Sequence, residues 1–98
     1  MATQSLWFLN DQQIVEQSTQ LAKLVMKNDD QNEQLRDLFE RLFAVGPTED
    51  EIRECVTFLN TQAEEFREAS KSESQAAQRA IASLCQALLA SNRFLYVD

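Results

Sequence analysis

Histidine is absent from this 98-residue chain, and glycine and proline occur once each, side by side at Gly46 and Pro47. Average usage would supply roughly a dozen of the two together. A β-sandwich or barrel needs many such turn residues, so the composition argues against an all-β fold. A single glycine cannot build a phosphate-cradling loop. Without histidine the chain lacks the usual general base, the commonest metal ligand and any imidazole pH switch. Cysteine is scarce too: Cys55 and Cys85 stand far apart, with no CxxC or CxxCH pattern. A zinc cluster and covalent c-type haem attachment within these residues are thereby excluded. The two thiols read as small core side chains, with a disulfide as the alternative in an oxidising compartment. No stretch approaches the roughly 20 apolar residues of a membrane span. The opening from Met1 to Leu9 has neither the basic region nor the long apolar run of a signal peptide.

What is present is acid and helix-forming pattern. Nine Lys and Arg face sixteen Asp and Glu, for a net charge of -7. Binding nucleic acid through its phosphates wants the opposite sign, so no nucleic-acid partner is expected. The acidic runs Asp29-Asp30 and Glu49-Asp50-Glu51 fall where helices begin, which the helix dipole explains. Glu64, Glu65 and Glu68 read as a solvated face, on which Glu64 and Glu68 have the spacing to hold a weak surface cation.

Apolar spacing predicts a helix over about 12–27, carried by Ile14, Val15, Leu21, Ala22 and Val25 and capped by Asp11. A second spans about 32–44, where Leu35, Leu38, Phe39, Leu42 and Phe43 make the cleanest helical face in the chain. Asp30-x-x-Glu33 caps it, and Gly46, in the left-handed conformation, is expected to end it. Thr48-x-x-Glu51 starts a third, reaching Ala69 or Ser70. Ser72-x-x-Gln75 starts a fourth over 73–91, whose face is Ala77, Ala80, Ile81, Leu84, Leu88 and Cys85. Residues 2–9 read as a short additional helix, and the apolar tail from Phe94 to Val97 as a segment docked on the bundle. The expected fold is all-α: one compact domain over 1–98, a four- to five-helix bundle with mostly antiparallel helices.

The stretch Leu84-Cys85-Gln86-Ala87-Leu88-Leu89-Ala90-Ser91-Asn92-Arg93-Phe94-Leu95-Tyr96-Val97-Asp98 resembles the ending, typically "LCHALLNSNEFLYVD", of a family of large planctomycete proteins of unknown function. The segment from Leu38 to Ile52 is similar to that family's "LYRLALGRPPTPEEL" turn, and Ser5 to Asp11 to its "LxLLN" opening. Gln86 stands where the family has His, Arg93 where it has an acidic residue, and Pro47 alone replaces its Arg-Pro-Pro. The resemblance implies that 1–98 are the C-terminal region of a longer, exported or periplasmic protein. It also implies a c-type haem elsewhere in that parent, since the family often carries a planctomycete-type cytochrome c domain; this chain itself is expected to hold no cofactor and no metal. Read without the resemblance, the chain is either cytoplasmic or a piece of something larger, a free-standing cytoplasmic adaptor being the weaker third reading.

No catalytic residue is assigned, since Cys85, Ser83 and Ser91 have no histidine to activate them. The functional reading is a non-catalytic module that packs against or recruits other domains of the parent, or another protein. Its contact residues are Trp7, Phe8, Asn92, Arg93, Phe94 and Tyr96, the aromatic ones also offering a homodimer contact. The alternative is a helical region that completes an enzyme's active site, which requires Asn10, Asn92, Arg93 and Tyr96 to converge in one pocket.

Overall fold

The computed structural model describes residues 5–8, 10–69, 72–91 and 94–97, with side chains for 10–69 and 72–91. Four helices follow one another: α1 (Asp11–Val25), α2 (Gln31–Phe43), α3 (Glu49–Arg67) and α4 (Glu73–Ser91). They are preceded by β1 (Ser5–Phe8) and followed by β2 (Phe94–Val97). The strands pair antiparallel in the register Ser5–Val97, Leu6–Tyr96, Trp7–Leu95 and Phe8–Phe94. The expected N-terminal helix is thus a strand. The C-terminal segment, expected to dock on the bundle, pairs with that strand.

Each helix start satisfies free N–H groups with a side chain. Asn10, not Asp11, caps α1: Gln13 N donates to its Oδ1 at 2.8 Å, and Asn10 N donates to Gln13 Oε1 at 3.1 Å. Asp11 is the acidic residue of the first turn, where it complements the dipole. Asp30 accepts from Glu33 N at 3.1 Å. Thr48 and Glu51 form the reciprocal box, at 3.1 Å and 2.8 Å. Ser72 Oγ accepts from Gln75 N at 3.1 Å.

The break after α2 is made differently from the expectation. Ala44, at φ 62°, takes the left-handed conformation, and Gly46 does not have positive φ. A β-carbon in that region costs about 1–2 kcal/mol. Ala44→Gly is therefore expected to raise stability by about 0.5 kcal/mol, the relief being partly offset by a freer unfolded chain. Urea unfolding measures it, and a loss of stability would show that the strain is not there.

The turn between α1 and α2 is tied by a polar cluster. Asn28 Nδ2 donates to Val25 O at 3.1 Å and to Asp37 Oδ2 at 3.0 Å, and Gln34 Nε2 donates to Asn28 O at 2.7 Å. Asp37 also pairs with Arg41 at 2.8 Å. Arg67 joins Glu64 at 2.6 Å and Glu73 at 3.6 Å, linking α3 to α4. Glu64 makes this pair on an exposed surface, in keeping with the solvated face expected of Glu64, Glu65 and Glu68.

α4 is the centre of the bundle: it packs along both α1 and α3, while α2 has smaller contacts with α1 and α3. Its buried stripe is Ala76, Ala80, Ile81, Leu84, Cys85 and Leu89, and α1 contributes Ile14, Ser18, Ala22 and Val25. Small residues on both helices let the backbones approach. Leu89 is buried where Leu88 was expected, and Leu88 lies partly exposed at the margin of the core.

Candidate functional site

α1 begins and α4 ends at the ribbon, so the two longest-range neighbours in sequence meet at one end of the fold. Trp7 and Phe8 lie on β1, and Phe94 and Tyr96 on β2, Phe8 opposite Phe94. Leu6 faces Tyr96 across the ladder. Asn92 and Arg93 lie outside the described residues. The sheet has two strands, so each strand has one unpaired edge. Neither strand contains a charged residue. Asn10, the described member of the polar set an active site would need, is engaged in capping α1.

A groove of about 510 Å³ runs between α1, α3 and α4, with Asp11 at the start of α1 and Ala90 near the end of α4 among its lining. Ile14, Val15, Phe58, Ala87 and Ala90 line it, with Gln62 and Ser83 on its polar side. Ser83 Oγ donates to Gln62 Oε1 at 3.1 Å. Val15 is a large apolar residue left exposed here.

A second hollow of about 370 Å³ opens between α2, α3 and α4, beside the Val45-Gly46 turn. Phe39 and Phe43 meet edge to face, ring centres 5.4 Å apart, on its α2 side. Glu51, Glu54 and Cys55 face it from α3, and Leu88 from α4. Sequence reasoning missed this cleft: Phe43 was read as core, and only the departure of Val45 from the helical stripe hinted at an open edge.

Both cysteines are free and buried. Burial, then the carboxylates of Glu51 and Glu54, hold the Cys55 thiol above its ordinary value. Burial also raises Cys85, against a smaller downward pull from the neighbouring Ser18 hydroxyl. Ser18 Oγ is fully buried without a full hydrogen bond among the described residues. In the unfolded chain a thiol ionises at about 8.5. Above that pH the unfolded state sheds its protons first, while the folded thiols still hold theirs. The thiol contribution to stability is therefore fully present below the unfolded value and is lost as pH climbs toward the raised folded values. Urea midpoints from pH 8 to 10.5 are expected to fall, and Cys85→Ala to flatten the fall; equal slopes in both proteins would remove Cys85 as a cause.

Among the described residues no group of three or more Cys, Asp or Glu is placed to hold a metal ion. No helix among them is long and apolar enough to cross a membrane. The fold is a four-helix bundle whose flanking segments pair in a two-stranded ribbon. The chain belongs to the family described as PSD1, protein of unknown function (DUF1553), whose model matches residues 1–59. The match takes in β1, α1, α2 and most of α3, and not the C-terminal stretch from Leu84 to Asp98. No curated protein and no solved structure matches the chain significantly.

Proposed function

We propose that residues 1–98 form a non-catalytic helical module, the C-terminal region of a longer exported planctomycete protein, that packs against or recruits the other domains of that protein. The ribbon is the observation that carries this reading. A two-stranded ribbon is marginal in water by itself. Apolar residues at successive positions of a strand point to both faces, and both then need cover. Unpaired edges add a row of N–H and C=O groups open to a further strand. Trp7, Phe8, Phe94 and Tyr96 are the contact residues on the ribbon, with Asn92 and Arg93, which precede β2 in sequence, as further contact residues. A homodimer would use the same surface twice. Any c-type haem belongs to the upstream part of the parent.

The test uses an apolar-surface dye and hydrogen exchange on the full chain. The folded wild type is expected to bind the dye and to exchange its ribbon amides far faster than those of α4. Replacing Trp7 and Tyr96 by Ser should abolish most dye binding with helix content unchanged. A folded monomer that binds no dye, or a molten chain, would reject the proposal. A continuous coding frame upstream of Met1 containing CxxCH is the expected genomic counterpart, and its absence would sever the haem connection.

A further inference from the structure

The cleft between α2, α3 and α4 differs in character from the ribbon end. Its floor is apolar: Phe39, Phe43 and Leu88. Val45 stands at its margin, 61% exposed, the most exposed large apolar residue among the described side chains. Its volume of about 370 Å³ lies within the roughly 300–1,000 Å³ range of binding pockets. An apolar hollow of this size accepts one or two aliphatic or aromatic side chains.

Its rim is acidic; Glu51 accepts from Thr48 N in the capping box, while Glu40 and Glu54 are not paired with a cation among the described residues. Glu51 and Glu54 face the cleft from the first turns of α3. Glu40 stands beside Gly46, its Oε2 3.9 Å from where a β-carbon on that glycine would lie. The cations nearby are engaged with other acids: Arg41 with Asp37, Arg53 with Asp50, and Arg36 with Glu33. Among the described residues no Lys or Arg lines the hollow. Cys55, only 7% exposed, lines the cleft with no hydrogen-bond partner for its thiol among the described residues. Burial, and after it the carboxylates of Glu51 and Glu54, oppose ionisation of this thiol.

We propose that this cleft docks a basic, apolar segment of a partner protein, an apolar side chain seated on Phe39 and Phe43 with flanking Lys or Arg side chains against Glu40, Glu51 and Glu54. Charge complementarity selects this occupant. A second copy of the chain, with its net charge of -7, brings net repulsion to an acidic rim, and an acidic segment would be repelled in the same way. A purely apolar ligand would leave Glu40 and Glu54 unused. Desolvation of the floor supplies affinity, and the rim supplies orientation and encounter rate.

The proposal is independent of the ribbon reading, and its test is read at different residues. The full chain, labelled with nitrogen-15, is titrated with three synthetic peptides: KKLLFKK, EELLFEE and KKSSSKK. The first is expected to give saturable shifts at the amides of Val45, Gly46, Glu54 and Cys55, weakening as salt screens the rim. Glu40→Gln with Glu54→Gln should weaken binding about three- to tenfold. Val45→Lys, which removes an apolar contact and adds a repelling charge, should weaken it further, and both sets of changes lie at exposed positions that leave the fold intact. Equal shifts from KKSSSKK would show that only surface charge is read and would overturn the proposal. So would equal binding of EELLFEE, unchanged affinity in the Gln variant, or no response to KKLLFKK at about 1 mM. Cleft shifts that follow protein concentration alone would assign the surface to a second copy instead.

Discussion

Leu38→Ala is expected to lower the unfolding free energy by about 3 kcal/mol, within the range measured for buried leucines. Leu38 is 0% exposed at the middle of α2. That helix holds to the fold through a short stripe of Leu35, Leu38 and Phe39, since its contacts with α1 and α3 are limited. The vacated volume has few neighbours able to move in, because Val25, Cys55 and Leu59 around the same core are themselves buried. For a domain of this size, each kcal/mol shifts Tm by roughly 4–8 °C, so the midpoint should fall by about 15 °C. Thermal unfolding followed by circular dichroism reads it directly. Leu24→Ala, at a position 37% exposed on α1, is the comparison. If the two variants lose equal stability, α2 is not anchored as described.

Ala22→Leu tests the opposite error, too much volume. Ala22 is 0% exposed on the α1 stripe that meets α4, where Ala76 and Ala80 are also buried. Three added carbon atoms have no room unless the two helices separate. Overpacking of this kind costs about 1–3 kcal/mol, and the upper part of that range is expected where two backbones approach closely. Ala90→Leu, at an exposed position beside the groove, should be close to neutral. Urea midpoints of the two variants separate these outcomes, and a neutral Ala22→Leu would mean that the α1–α4 contact is loosely packed.

The four helices were legible because each has a long 3.6-residue stripe and a start signal of short range. Thr48 with Glu51, Asp30 with Glu33 and Ser72 with Gln75 all act within one turn, so spacing alone reveals them. The errors fall where local pattern underdetermines the outcome. Asn10 and Asp11 are both good caps, and only backbone geometry decides that Asn10 holds the position. Gly46 drew the left-handed conformation by propensity, yet α2 ends two residues earlier at Ala44. Leu6-Trp7-Phe8-Leu9 is too short a run for helix and strand to be told apart by period. Its strand partner lies almost the whole chain away, at Phe94–Val97. The aromatic and β-branched composition of the two segments was the available signal. The acidic cleft was less legible still, because Glu40, Glu51, Glu54 and Leu88 belong to three different helices and converge only in the folded chain.

The ribbon has a consequence for how the domain forms and how it yields. Its ladder closes a loop containing all four helices, and closure entropy grows with the length enclosed. Helix turns and neighbouring helices can assemble first, so the strands zip last and separate first. The antiparallel register also sets the mechanics. Ser5 and Val97 sit at the outer end of the ladder, and Phe8 and Phe94 at the inner end. Tension applied through the two ends of the chain therefore meets one rung at a time, peeling rather than shearing. The ribbon acts as a low-force release that yields before load reaches α1 and α4.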